Sequence, residues 1–163
     1  MSTYRPRRSV LYMPAANQRA LEKAKDIPAD ALIFDLEDAV APDAKELARE
    51  QACNAAASSD YGNRELTIRC NGLDTPWGRE DILAAAEAAP SAVVIPKVDG
   101  PEYLAEVSEV LDEGGAPAAT EIWAMVETPA GILCVDQIAQ FERTAVLVMG
   151  TNDMAKELRA SIT

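Results

Sequence analysis

Three carboxylates crowd the end of an apolar segment near residue 35. Residues 31–40 read ALIFDLEDAV, in which four apolar residues are followed by Asp35, Glu37 and Asp38. A short apolar run of this kind predicts a buried strand, and a charge directly beside buried residues is costly unless it has a partner. We therefore interpret the end of this strand as the edge of a candidate functional site.

The sequence has no histidine, and this restricts the chemistry available to such a site. No Ser-His or Cys-His pair can be built, and no imidazole can act as an acid or base near neutral pH. Cys53, Cys70 and Cys134 are far apart in the sequence, so we expect free thiols and no zinc site. Catalysis would have to use carboxylates, lysine, arginine, tyrosine or a metal ion.

Composition and charge favour an acidic globular protein. The 163 residues are 48% hydrophobic, and 27 acidic against 15 basic residues give a net charge of −12. We expect one domain over residues 1–163 and no nucleic acid partner, because the protein would repel phosphates. No apolar run is long enough to span a membrane and no signal peptide is evident, so we expect no membrane partner and a cytoplasmic location.

Short apolar runs alternate with helical patterns along the whole chain. Their nearly continuous hydrophobicity is typical of parallel strands that are covered on both faces. The runs recur roughly every 20 to 35 residues, the length of a βα unit. The predicted strands are 9–13, 31–34, 66–68, 92–95, 122–126 and 145–149, and the predicted helices are 18–25, 43–52, 78–87, 102–111 and 154–159.

Two parallel α/β folds fit this alternation, the doubly wound sheet and the TIM (β/α)₈ barrel. The turn after the first strand reads PAAN (14–17) and lacks the glycine-rich phosphate loop common in dinucleotide-binding sheets. We therefore expect a TIM barrel, of which this chain would supply the first six βα units, since a complete barrel of about 250 residues has eight. Either the chain is a fragment or another chain closes the sheet, and open edges favour association.

In a barrel, functional side chains follow the carboxyl ends of the strands. Five successive predicted strands end in polar groups that would share this face, namely Asp35, Glu37, Asp38, Arg69, Asn71, Lys97, Glu127 and Asp153. Two members have simpler explanations that stay open: Asp153 could cap the helix 154–159, and Lys97 could be a solvated loop lysine.

Glu127 and Asp153 lie after adjacent predicted strands, so both could face one divalent cation. Two carboxylates without histidine or thiolate favour a hard ion such as Mg²⁺, which keeps several waters and takes other oxygens from substrate. Arg69 would offer a planar fork for a substrate carboxylate. These residues predict a Mg²⁺ site for a small carboxylate-bearing substrate.

Six ordered motifs resemble those of the citrate lyase β-subunit-like family, which includes malyl-CoA and citramalyl-CoA lyases. They are RSVLYMPA (8–15), FDLEDAV (34–40), IRCNG (68–72), IPKV (95–98), VETPAG (126–131) and GTNDM (150–154). The resemblance implies a TIM-barrel enzyme that cleaves or forms a carbon–carbon bond between an acyl-CoA and a 2-oxo acid. It also implies a homo-oligomer, a trimer or hexamer, and a catalytic aspartate donated by a neighbouring subunit from a region beyond residue 163.

The resemblance also implies roles for particular residues. Glu127 and Asp153 would bind Mg²⁺, with Glu127 also beside the substrate, and Arg69 would bind the oxo acid. The remaining assignments are Glu37 and Asp38, as catalytic residues that hydrogen-bond around this centre with Arg69, and Arg8 and Arg19, as contacts for CoA.

One motif departs from the family pattern, and two other functions stay open. The sixth-strand motif often reads Gly-Ala-Glu-Asp in the family, whereas Asn152 replaces the glutamate here, which leaves the substrate open. The alternatives are a Mg²⁺-dependent 2-oxo-acid aldolase that does not use CoA, and a non-catalytic binding or assembly subunit of the same fold.

Overall fold

The computed structural model describes residues 5–58 and 60–161 and contains one six-stranded sheet. Its strands are β1 (Val10–Pro14), β2 (Ala31–Asp35), β3 (Glu65–Arg69), β4 (Ala92–Ile95), β5 (Glu121–Val126) and β6 (Thr144–Met149). Its helices are α1 (Gln18–Ala24), α2 (Lys45–Ala57), α3 (Gly78–Ala88), α4 (Pro101–Glu113), α5 (Pro129–Leu133), α6 (Val135–Gln140) and α7 (Thr151–Glu157), with a short 3₁₀ helix at Pro42–Ala44 before α2.

Every strand pairs in parallel with the next one along the chain, and the order never reverses. A doubly wound sheet would contain a reversal of strand order, so the structure is a singly wound, barrel-type sheet that does not close. Within the described part of the chain, β1 and β6 are paired on one side only. The predicted fold class, an incomplete TIM barrel, is confirmed.

The two faces of the sheet carry different sets of buried side chains because residues alternate along each strand. One face packs against the helices and forms the main core, with Phe34 and Ile95 from strands and Leu104 from α4 among its buried members. The other face corresponds to the interior of a barrel. Its buried cluster comes only from strands and consists of Ala31, Ile33, Ala92, Val94, Trp123 and Met125.

The helices differ from the prediction mainly after β5. Two short helices there, α5 and α6, were not predicted, because each is only five or six residues long and shows too little periodicity to be recognised. The last predicted helix was placed at 154–159, but α7 begins earlier, at Thr151. The 3₁₀ turn at Pro42–Ala44 takes the place of the predicted helix start at residue 43.

Two further observations concern membrane-spanning helices and the cysteines. No helix in the described residues is long and apolar enough to cross a membrane. All three cysteines are free thiols, as predicted, and Cys70 is fully buried.

The loop after β3 leaves no room for a side chain at Gly78. A Cβ there would overlap the carbonyl of Gly72, so α3 can begin against this loop only with glycine. We expect Gly78→Ala to lower the free energy of unfolding by about 2 kcal/mol or more, because backbone must move. Gly100→Ala is the control, since its Cβ meets only the end of the flexible Glu102 side chain and should cost less than about 1 kcal/mol. Equal losses in chemical denaturation would contradict this packing.

Candidate active site

A buried ion pair joins the carboxyl ends of β2 and β3. The register of these strands places Asp35 directly beside Arg69, and both residues point to the barrel-interior face. Arg69 Nε and Nη2 donate to the two carboxylate oxygens of Asp35 at 2.7 and 2.6 Å. Burial alone would lower the pKa of Arg69, but the hydrogen bond and the charge of Asp35 outweigh it and raise the pKa. Arg69 is therefore a fixed cation with a fixed orientation.

A second carboxylate contacts the remaining nitrogen of Arg69. Nη1 lies 2.6 Å from Glu37 Oε2, although the N–H groups are not aligned with that oxygen, which accepts no hydrogen bond from the described residues. Asp38 is more distant, at 3.9 Å, and its side chain is largely exposed. The Tyr12 ring lies 5.2 Å from the guanidinium and covers its face. The fork that the sequence predicts for a substrate carboxylate is thus engaged by Asp35, and Nη1 is the nitrogen that faces the rim.

Burial raises the pKa of Glu37 to about 7, against the opposing charge of Arg69. Neighbouring carboxylates, Asp38 and Glu127, act in the same direction as burial, whereas Lys97 opposes them. The Lys97 ammonium lies 4.0 Å from Glu37 Oε1. Glu37 is therefore protonated more readily than an ordinary carboxylate. It lies between the cations of Arg69 and Lys97.

Glu127 follows β5 and is held by the backbone of the neighbouring strand end. The Lys97 N–H donates to Glu127 Oε1 at 2.8 Å, and Lys97 adopts a left-handed backbone conformation with φ of 51°. Such a conformation is strained for a residue with a side chain, and here it accompanies an N–H directed at a buried carboxylate. Lys97 thereby connects two parts of the site, since its amide holds Glu127 and its ammonium lies near Glu37.

Asp153 lies in the first turn of α7 and shares a cavity of about 350 Å³ with Glu127. Gly150 occupies the capping position of α7, so the capping role considered for Asp153 does not apply. The cavity is lined by Lys97, Glu127, Thr128, Asp153, Lys156 and Glu157. Burial raises the pKa of Glu127; the Lys97 amide opposes this and the charge of Asp153 adds to it. The carboxylates of Glu127 and Asp153 therefore repel each other, and neighbouring positive charge does not fully offset this repulsion.

A Mg²⁺ ion fits this donor set. No cluster of three or more potential metal-ligating side chains of the His, Cys, Asp or Glu type occurs in residues 5–58 and 60–161, so a preformed protein cage is absent there. Mg²⁺ does not need one, because it is commonly bound by one or two carboxylates plus water and substrate oxygens. Glu127 and Asp153 would hold it, and its charge would relieve their mutual repulsion.

Two residues predicted to bind CoA do not join this cluster. Arg8 precedes β1, at the opposite end of the sheet, and forms an exposed ion pair with Asp30 at 2.7 Å. Arg19 is exposed on the first turn of α1, on the same side as the site but outside its described contacts. The structure brings together Glu37, Asp38, Arg69, Glu127 and Asp153 with Asp35 and Lys97, which were predicted on the same face, and it adds Tyr12.

Lys45 and Asn71 form a buried network beneath the site. The Lys45 ammonium donates to the carbonyls of Leu36 and Glu37, both at 2.7 Å, and to Asn71 Oδ1 at 2.8 Å. Sequence reasoning missed Lys45, which reads as one of many charged residues on a helix. It also missed the pairing role of Asp35, although strand alternation offers a signal, since Asp35 and Arg69 end neighbouring strands on the same face.

The sequence matches the HpcH/HpaI aldolase/citrate lyase family over residues 8–163. The chain belongs to this family. The resemblance inferred from the six motifs is thereby confirmed.

Similar proteins carry two different functional names. A (3S)-malyl-CoA thioesterase from Cereibacter sphaeroides is 48% identical over 153 residues, which is 94% of this chain and 52% of that protein. The citrate lyase subunit beta of Escherichia coli K12 is 34% identical over 161 residues, 95% of this chain and 53% of the relative. The chain thus spans about half the length of these two relatives.

Solved structures of the same shape include complexes with ligands. A citrate lyase beta subunit from Mycobacterium tuberculosis, complexed with oxaloacetate and magnesium, has a TM-score of 0.75 and 27% identity, covering 96% of this chain and 65% of that one. The protein CitE from the same organism, with magnesium, acetoacetate and coenzyme A, has a TM-score of 0.75 and 26% identity over 96% of this chain and 54% of that one.

Gly150 leaves the space that the Glu127 side chain occupies. A Cβ at Gly150 would overlap both the Cβ and the carboxylate of Glu127. We expect Gly150→Ala to weaken Mg²⁺ binding roughly tenfold or more, because the carboxylate must leave its position. Isothermal titration with MgCl₂ measures this, with Gly100→Ala again as the control. Unchanged Mg²⁺ affinity in a folded Gly150→Ala protein would show that Glu127 is not a ligand in this position.

Proposed function

We propose that this chain carries the metal site and the oxo-acid site of a Mg²⁺-dependent lyase that acts on 3-hydroxyacyl-CoA thioesters. The reaction would cleave such a thioester to acetyl-CoA and a 2-oxo acid, or run in reverse. One observation carries the proposal: Lys97 joins the carboxylate cavity of Glu127 to the Arg69 cluster through an amide hydrogen bond of 2.8 Å and an ammonium 4.0 Å from Glu37. A metal and a carboxylate could therefore be bound side by side.

Arg69 and the residues that contact it have different proposed roles in binding the oxo acid. Asp35 occupies two nitrogens of Arg69 and directs Nη1 to the rim, where it would pair with the carboxylate of the oxo acid. Glu37 now holds that position, so the incoming carboxylate would displace it, and its raised pKa makes this displacement easier by favouring the neutral form. The Tyr12 ring lies over the guanidinium.

The bond changes set what the site must stabilise. In the cleavage direction the substrate hydroxyl loses its proton and becomes the carbonyl of the oxo acid, the carbon–carbon bond breaks, and its electron pair forms the enolate of the acetyl thioester. The enolate carbon then takes up one proton to give acetyl-CoA, which balances the proton lost by the hydroxyl. When bound, Mg²⁺ would supply Lewis-acid stabilisation of the negative charge on oxygen. Glu127 and Asp153 would hold the ion, while Arg69 balances the charge of the carboxylate.

The comparisons support the substrate class. The M. tuberculosis proteins are complexed with magnesium and oxaloacetate in one structure, and with magnesium, acetoacetate and coenzyme A in the other. For this chain the same ligand classes are proposed on the residues above. The particular oxo acid, contacts to CoA through Arg19 and assembly as a homo-oligomer stay predictions.

Thioester hydrolysis is the second candidate, because the relative that is 48% identical is named a (3S)-malyl-CoA thioesterase. That reaction breaks the carbon–sulfur bond with water and releases the CoA thiol and a hydroxy diacid. It uses the same grip on a carboxylate and the same metal, so the site geometry is compatible with both. The products differ in their functional groups and separate the two.

A product assay distinguishes the candidates. With malyl-CoA and Mg²⁺, a lyase yields glyoxylate, which a hydrazine reagent detects, and releases no thiol. A thioesterase releases free thiol and no oxo acid. We expect oxo acid without thiol. Thiol alone would replace the lyase by the hydrolase. The absence of both products with malyl-, citramalyl- and citryl-CoA, in a protein that also supplies the aspartate expected beyond residue 163, would remove both.

Glu127→Gln tests the metal assignment directly. The change removes one of two anionic ligands while keeping the side-chain shape, so we expect Mg²⁺ affinity to fall more than about tenfold. Calorimetric titration with MgCl₂ would measure it, with thermal unfolding as a check on the fold. Glu80→Gln, an exposed change on α3, should leave the affinity unaltered. Equal affinities for all three proteins would refute the assignment.

A further inference from the structure

Lys45 is a buried cation that has no part in the chemistry proposed above. It begins α2 and is only 5% exposed. Its ammonium has three donors, and three oxygens accept them at 2.7 to 2.8 Å. The Trp77 ring lies 5.2 Å from Nζ and covers it. A lysine is rarely buried to this degree unless it is fully paired, so the position has a specific requirement for an ammonium group.

The oxygens that accept from Lys45 belong to the segment that carries the site carboxylates. Two of them are the carbonyls of Leu36 and Glu37, which connect Asp35 to Asp38. The same segment is held from the other side, since the Leu36 N–H donates to the Arg69 carbonyl at 2.9 Å and the Glu37 N–H donates to Asp35 Oδ1 at 2.9 Å. Lys45 therefore fixes the direction in which this turn leaves β2.

The third acceptor of Lys45 extends the network to the next strand and helix. Asn71 Nδ2 donates to the Leu36 carbonyl at 3.1 Å and to Asp81 at 2.6 Å. Asp81 also accepts the Asn71 N–H at 3.0 Å and a hydrogen bond from Arg49 Nε at 2.7 Å. The ammonium is thus anchored through Asn71 to a fully buried carboxylate, and it cannot shift without breaking several charge-assisted hydrogen bonds.

We infer that Lys45 is a positioning residue, which holds the turn after β2 so that Asp35 keeps two nitrogens of Arg69 and Glu37 lies beside Nη1, where a substrate carboxylate would displace it. The inference rests on the proposed function for its last step, the binding of an oxo acid at Arg69. Its first step concerns only the turn and can be measured without any ligand. Without Lys45 the carbonyls of Leu36 and Glu37 lose a common donor, and the turn gains other conformations.

The main experiment compares Lys45→Met with the wild-type protein. Amide hydrogen exchange is read at Glu37, in the turn, and at Val94, in the core, with no ligand present. Binding of pyruvate, of glyoxylate and of oxaloacetate is then titrated in saturating MgCl₂, and binding of MgCl₂ is titrated alone. Lys25→Met is the matched control, because Lys25 pairs with Glu22 and Asp60 and lies over the Tyr61 ring, and none of these residues belongs to the site.

If Lys45 positions the turn, Lys45→Met should weaken oxo-acid binding but not Mg²⁺ binding. We expect amide exchange at Glu37 to accelerate at least about tenfold while exchange at Val94 is unchanged. Oxo-acid affinity should fall roughly 10- to 100-fold. Mg²⁺ affinity should stay within about twofold, since Lys45 contacts neither Glu127 nor Asp153 in the described network. A residue that served only stability would not separate the two affinities. Unchanged exchange at Glu37, or equal losses of both affinities, would overturn the inference.

Two further outcomes are covered by the design. If Lys45→Met does not fold, Asn71→Ala takes its place. This change removes one acceptor of the Lys45 ammonium and one donor to the Leu36 carbonyl but keeps Lys45. Exchange and affinities equal to those of the wild-type protein would refute the network. If the wild-type protein binds none of pyruvate, glyoxylate and oxaloacetate, the proposed function fails, and the exchange at Glu37 alone decides whether Lys45 holds the turn.

Discussion

The buried pair of Arg69 and Asp35 is the interaction on which the site depends. Both charges lie at the carboxyl ends of neighbouring strands and are almost fully removed from water. A buried ion pair of this kind gains little net stability, but the loss of one partner leaves an uncompensated charge. The pair therefore fixes the register of β2 against β3, and the same contact determines which nitrogen of Arg69 faces the rim.

Other polar groups hold the backbone on either side of the Arg69–Asp35 pair. Lys45 and Asn71 hold the turn that follows Asp35, and Lys97 uses a strained backbone to hold Glu127 one strand further on. These supports are backbone amides, carbonyls and buried side chains rather than flexible surface groups. Rigid support of this kind keeps carboxylates close together despite their repulsion.

The sequence predicted the fold well because the fold rests on patterns that a sequence displays. Continuous apolar strands alternate with helices, and the strand ends carry the polar residues, so the face of the site follows from the parallel topology. Two features could not be predicted, since they depend on three-dimensional contacts. The helix residue Lys45 reaches under the site. Asp35 fills the Arg69 fork, and strand alternation places these two residues on one face but does not show that they pair.

A double-mutant cycle on this ion pair tests the central claim most directly. Unfolding free energies would be measured for Asp35→Asn, Arg69→Gln and the combined variant. If the buried pair fixes the strand ends, each single change should cost about 3 to 5 kcal/mol, and the double change should cost at least about 2 kcal/mol less than the sum. Losses that add to within about 0.5 kcal/mol would show that the two residues do not interact, and the account of the site would fail.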